Sequence, residues 1–245
     1  MSRVRDYREV VARLGALPRR DWRVKRVASI AGYPWFCVER IESKRAPTVM
    51  LSAGMHGEEP AGVEGVLRWL EQGNPGNVNW FVLPCINPFG WERNRRTNAQ
   101  QCDINRQFHR DTETPEAELI KRLVRGRRFR FSMEFHEDVD ATGFYLYELR
   151  RQSPYVGEKI LRAVERVVPI NHDKIIDGNE ATGRGLIRRD AGTNFMRTRR
   201  RWPMAFHLFL NCTDHILGSE TAVHLPVKQR ARAHNAALAA ALKHC

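Results

Sequence analysis

Two histidines and two glutamates form the most chemically suggestive set in this chain. His56-Gly57-Glu58-Glu59 places an imidazole and a carboxylate three residues apart, and His136 follows later. Where the chain turns tightly, that spacing lets both side chains converge on one cation. Zinc accepts such nitrogen and oxygen ligands, and a catalytic zinc takes three from the protein while keeping one position for water. His56, Glu59 and His136 would make a His2Glu set of this kind. Glu58 is the rival to Glu59 and reads as its solvated neighbour. Taken alone, HxxE also describes a solvated loop pair, and a lone histidine at a strand end is commonly just hydrogen-bonded.

The segment that follows raises the set above those readings. It runs Asn87-Pro88-Phe89-Gly90, then Arg96-Thr97-Asn98, then Asp103-Ile104-Asn105-Arg106-Gln107-Phe108. HxxE, NPxG, RxN, DxNRxF and a later histidine, in that order, resemble the zinc carboxypeptidases. The related succinylglutamate desuccinylase and aspartoacylase group shares much of the pattern. The resemblance runs from about Leu51 to Phe108, resumes around His136 and returns near Glu220. It departs from the family at Phe89, at Gln101-Cys102, and at Glu137-Asp138, where acids follow the second histidine. Those two acids would select a cationic group, position a ligand or pair with local arginines. No tyrosine lies between Tyr155 and Glu220, so a tyrosine role would fall to Tyr145 or Tyr147, expected on opposite faces of a strand.

The resemblance implies one zinc ion per chain, held by His56, Glu59 and His136. It implies that Arg96 polarises the scissile carbonyl and steadies the oxyanion, a task suited to a permanently charged guanidinium. Asn105 and Arg106 would clamp a free substrate carboxylate, which fits the guanidinium fork. Asp103 would orient a ligand histidine, His56, from behind. Glu220, in Leu217-Gly218-Ser219-Glu220-Thr221, would be the general base. The implied activity is a metallocarboxypeptidase that releases a C-terminal residue. The alternative is a deacylase of small N-acyl amino acids, and the motif core is common to both.

The elements around these residues read as α/β. Residues 6–17 form an amphipathic helix, and strands follow at 23–30 and 35–41 around Gly32-Tyr33-Pro34. A compact apolar strand at 47–53 ends just before His56, and Pro60 to Gln72 carries apolar residues at helical spacing. Further strands are expected at 80–84, ending in the Asn87-Pro88 turn, at 129–135, delivering His136, and at 144–149. Helices are expected at 116–125, 154–167 and 234–242, and a late strand at 204–210 ahead of Glu220. This alternation predicts a mostly parallel mixed sheet with helices on both faces, like that of the zinc carboxypeptidases. Its ligands would sit beyond the carboxyl ends of the strands.

The totals are consistent with that reading. The 245 residues fit a single catalytic domain over 1–245, with a core that needs no disulfides. The five cysteines are scattered and odd in number, which argues against a disulfide framework and against a cysteine zinc site. No apolar run spans a membrane and the N-terminus lacks a secretory pattern, so a cytoplasmic location is expected. The net charge of +13 favours anionic partners, here a peptide or small amide with a free carboxylate. Residues 184–202 carry seven arginines and read as a basic rim for acidic substrates or as a plain solvated loop. No nucleic-acid-binding motif accompanies the charge, so no specific nucleic-acid partner is expected.

Overall fold

The computed structural model describes residues 4–73, 76–109, 112–188, 196 and 198–245. In chain order the elements are α1 (Tyr7–Gly15), β1 (Arg23–Ile30), β2 (Tyr33–Arg40), β3 (Thr48–Ala53), α2 (Pro60–Glu71), β4 (Asn79–Leu83) and α3 (Pro88–Arg93). There follow α4 (Pro115–Val124), β5 (Phe131–Asp138), β6 (Tyr145–Arg150), α5 (Gly157–Val164), the short strands β7 (Ile175–Ile176) and β8 (Asn179–Glu180), and β9 (Leu186–Arg188). The chain closes with α6 (Met204–Asn211), β10 (His215–Ala222) and α7 (Val227–His244).

Eight strands make one sheet in the order β1-β2-β4-β3-β5-β10-β6-β9. β4, β3, β5 and β10 run parallel to one another, and β9 runs parallel to β6. β1–β2, β2–β4 and β6–β10 are antiparallel, so the expected mostly parallel mixed sheet is what forms. Leaving β3, the chain passes to β4 on one side, whereas β5 lies on the other. A crevice therefore opens at the carboxyl ends of β3 and β5, the place where open α/β sheets bind ligands.

The two faces bury different clusters. Val63, Val66 and Leu70 of α2 pack with Ala237 and Leu238 of α7 and Ile160 of α5 over one face. Ala117 and Ile120 of α4 and Phe206 and Phe209 of α6 cover the other. α2 starts cleanly because Pro60 occupies its first turn, where a missing N–H costs nothing.

Three local expectations are corrected. Met204 to Leu210 is the helix α6 rather than a late strand. A short apolar run does not reveal its period, and here Met204 and Leu208 recur at the i, i+4 spacing of a helix face. Glu220 consequently lies inside β10, the true late strand, rather than beyond its end. Asn87-Pro88 starts α3 instead of merely turning, since Asn87 Oδ1 accepts from Gly90 N at 2.9 Å. His136 likewise falls within β5, whose pairing continues to Asp138.

On the helix-covered face beneath β5, Glu137 is buried. It accepts from Ala61 N at the start of α2 and pairs with Arg230 of α7, which is also buried. Of the two acids after His136, this one is thus committed to a buried structural ion pair. Removing one partner of a buried pair strands the other charge. Arg230→Met is therefore expected to cost about 3–5 kcal/mol in urea unfolding, and the Glu137→Gln/Arg230→Met double substitution distinctly less.

Candidate metal centre and active-site crevice

Local backbone requirements bring the two motif blocks together. After β3 the chain turns at Gly54, whose φ is +66°, and the loop to Glu59 docks on the loop that follows Asn87. Asn87 N donates to Gly54 O at 2.7 Å and Gly57 N to Arg95 O at 2.9 Å. A Cβ on Gly57 would lie 2.0 Å from Gly90 C and 2.4 Å from Arg95 O, so only glycine permits this approach. Arg5 ties the same junction by donating to Gly57 O at 3.0 Å and Trp91 O at 2.7 Å.

Glu59 sits at the N-terminus of α2 with its carboxylate between the two imidazoles. Its Oε1 lies 2.6 Å from His56 Nδ1 and its Oε2 lies 2.9 Å from His136 Nδ1. The candidate ligand atoms of His56, Glu59 and His136 all fall within 4.8 Å of one another, close enough to hold one ion. All three side chains are buried.

Each imidazole is held from behind by a carboxylate. His56 Nε2 lies 3.2 Å from Asp103 Oδ1, and His136 Nε2 lies 3.5 Å from Glu134 Oε2. An Nε2–H directed at a carboxylate leaves the Nδ1 lone pair facing Glu59. The donor set, the buried position and both orienting carboxylates fit a zinc-type cation. Glu134 escaped the sequence reading. The signal available was its period-two relation to His136, which puts both on one strand face.

Charges in the cluster are strongly coupled. Burial alone would raise Glu59, but the two imidazoles reverse this and hold it below the usual carboxylate range. Burial works to depress both histidines, and Glu59 with its partners drives them above their ordinary value. Asp103 is held low too, against its burial, mainly by His56. Glu220 behaves oppositely. Burial pushes it well above the usual carboxylate range, His136 opposes that, and the charges of Glu59, Asp138 and Asp177 add to it.

Strand register sets the distance between these groups. Glu220 of β10 pairs with His136 of β5 on one side and Tyr145 of β6 on the other. Adjacent strands stand about 4.8 Å apart, so all three line one crevice wall. Tyr145 and Tyr147 were expected on opposite faces. Residues two apart share a face, and both rings line the crevice. Tyr145 Oη donates to Asp138 at 2.9 Å and Tyr147 Oη to Asp177 at 2.5 Å.

Opposite this wall stand the basic residues. Arg96 Nε donates to Asp103 Oδ2 at 3.0 Å, and its guanidinium approaches Glu58 Oε1 at 3.6 Å and Glu59 Oε1 at 4.0 Å. Glu58 is thus a half-buried partner of Arg96 rather than a solvated neighbour. Asn105 Oδ1 accepts from Met204 N at 2.9 Å, which caps α6 and leaves the amide NH2 for the crevice. Arg106 is exposed beside it. Arg199 and Arg201 also line the crevice, held there because Phe108 N donates to Trp202 O at 3.1 Å. Residues 189–195 and 197 of the basic segment lie outside the described residues. The crevice encloses about 400 Å³, and its lining includes His56, Glu59, His136, Arg96, Asn105, Arg106 and Glu220.

A sequence profile of the succinylglutamate desuccinylase/aspartoacylase catalytic domain matches residues 45–169, half of the chain. The chain belongs to this family. The matched span carries His56, Glu59, Asp103, Asn105, Arg106 and His136, while Glu220 lies beyond it. Among solved structures, a candidate metallopeptidase from Shewanella amazonensis is 25% identical, with a TM-score of 0.78 over 96% of this chain and 90% of that one. Carboxypeptidase A from Helicoverpa armigera shares the fold, with a TM-score of 0.65 at 16% identity over 98% of this chain and 75% of that one. Carboxypeptidase SOL1 of Arabidopsis thaliana is 29% identical over 133 residues, 44% of this chain and 27% of its own length. This chain therefore spans about a quarter of that relative. The protein thus carries a desuccinylase/aspartoacylase-family domain on a metallocarboxypeptidase-like fold. No helix among the described residues is long and apolar enough to cross a membrane.

The sign of the Glu220 shift gives a direct test. A raised carboxyl keeps its proton to higher pH, and the Asp177 charge is one cause. In the metal-free protein, Glu220 followed by carbon-13 NMR should titrate above the ordinary carboxylate range. In Asp177→Asn its midpoint should move to lower pH.

Proposed function

We propose that the protein is a zinc-dependent metallocarboxypeptidase that hydrolyses the last amide of a peptide and releases its C-terminal residue. The observation that carries this reading is that the His56–Glu59–His136 cluster, Glu220 and the Arg96–Asn105–Arg106 group all line one crevice. Leu149, Ile187, Phe206 and Ile216 line it too and would pack against the carbon skeleton of the substrate. The carboxypeptidase neighbours support the same reading. The 1–245 span acts as one catalytic unit, and the five free cysteines suit a reducing compartment such as the cytoplasm.

His56, Glu59 and His136 would hold the zinc, which when bound supplies a Lewis acid for the scissile carbonyl and acidifies a water. The protein's own groups do the rest. Arg106 and the NH2 of Asn105 grip the substrate's terminal carboxylate and fix the amide in the crevice. Glu220 accepts the proton of the attacking water, which its raised affinity for a proton favours, and passes it to the leaving nitrogen. The Arg96 guanidinium donates to the oxygen on which negative charge develops. Asp103 holds His56 in its working orientation.

A second reading, hydrolysis of small N-acyl amino acids, is supported by the family match. Metal analysis and assay separate the outcomes. Protein purified without added metal should carry about one zinc per chain, lost in His136→Ala. The wild type should release the last residue of peptides faster than it cleaves N-acyl amino acids. The opposite substrate order would make it a deacylase. A wild type that neither carries nor takes up zinc would refute both.

The basic side of the crevice supports a preference for acidic substrates. Arg199 and Arg201 line it, whereas Arg200 does not. Arg201→Glu should lower kcat/KM for a peptide ending in aspartate or glutamate by about tenfold, roughly 1.4 kcal/mol, with the loss shrinking at high salt. Arg200→Glu serves as the control and should change it little.

A further inference from the structure

Glu134 presents a buried carboxylate that the proposed reaction leaves unused. It lies in β5, two residues before His136 and on the same strand face. Its side chain lines the crevice from beneath and is almost wholly enclosed. Oε2 approaches His136 Nε2 at 3.5 Å, while Oε1 is buried without a hydrogen-bond partner. In the parallel ladder Glu134 is flanked by Gly218 of β10, which has no side chain, and by Ser52 of β3, which carries no charge. Burying a carboxylate with an unmatched oxygen costs free energy, and an apolar residue of similar volume would avoid that cost. Among the described residues, the His136 imidazole is its one ion-pair partner.

The arrangement repeats the one at the first histidine. Asp103 faces His56 Nε2 from a separate loop, and Glu134 faces His136 Nε2 from within the strand that carries it. In both, the carboxylate lies on the ring nitrogen turned away from Glu59. We infer that Glu134 is a positioning residue for His136. It holds the Nε2–H tautomer, sets the ring plane and raises the electron density of Nδ1, so that His136 binds a cation together with His56 and Glu59. This inference rests on the zinc reading proposed above. The contribution of Glu134 is to metal affinity and ligand geometry.

Zinc affinity measured by competition with a chelator, on wild type, Glu134→Gln and Glu134→Leu, tests this without any assay of turnover. Glu134→Leu is expected to weaken zinc binding about 10- to 100-fold. Glu134→Gln should weaken it less, because its amide oxygen still accepts from Nε2–H without the charge. Nitrogen-15 NMR of histidine-labelled, zinc-loaded protein supplies a signature that a filler residue would not move. The His136 Nε2–H resonance should lose its hydrogen-bonded position in Glu134→Leu, while that of His56, bound to Asp103, stays. The melting temperature of the metal-free variants reports whether each folds, and Glu134→Gln carries the test if Glu134→Leu does not. Zinc affinities within twofold of wild type in the folded variants, or an unmoved His136 resonance, would overturn the inference and leave the zinc reading intact. A wild type that binds no zinc would overturn both together.

Discussion

The parallel register that joins β3, β5 and β10 is the constraint on which the site depends. It sets Ala53 beside Phe135 and His136 beside Glu220, so the loop after β3 meets both across one end of the sheet. Because side chains alternate along a strand, a slip of one residue would turn His136 and Glu220 toward the helices. The back face prevents such a slip. Phe135 stacks on His234 of α7 at 4.6 Å, and Gly62 of α2 comes so close to the Phe135 backbone that a Cβ there would lie 2.9 Å from its carbonyl oxygen. Ser219 and Thr221, flanking Glu220, meet the two nitrogens of His234 at 2.8 and 3.3 Å. Burial drives the pKa of that imidazole down to about 3, so it serves β10 as a neutral hydrogen-bonding post.

The crevice concentrates carboxylates that could not be buried together without cations. Glu59, Asp103 and Glu134 all face the two imidazoles, and Arg96 bridges Asp103 to Glu58 and Glu59. On the opposite face, Glu137 is neutralised by Arg230. Successive residues of β5 thus carry charges assigned to different tasks, and the pleat alone separates them. The same economy appears at Asn105, whose oxygen caps α6 while its NH2 is left for the crevice. Placing Met204 at a helix start therefore anchors the chain segment that brings Arg199 and Arg201 to the rim.

Much of this was legible beforehand because short motifs carry their own geometry. His56 and Glu59 stand three apart around a glycine that only a close backbone approach requires. Asp103, Asn105 and Arg106 form a single tight turn in which Asp103 Oδ1 accepts from Asn105 N at 2.9 Å. The family, the α/β class and most strands follow from patterns of this local kind. Met204 to Leu210 has six apolar residues in seven, a run that suits a buried strand and a buried helix equally. Tyr145 and Tyr147 were misplaced although their spacing already put them on one face.

The sequence by itself determined which residues could bind a cation, which could grip a carboxylate, and the strands that deliver them, since each depends on residue type and nearby spacing. Only the tertiary structure decided how those groups face one another. It paired Glu137 with Arg230, brought Glu134 behind His136, drew Glu58 to Arg96 and set Glu220 against both His136 and Tyr145. Those outcomes depend on which strands become neighbours and in what register, and that is fixed by packing between segments far apart in the chain.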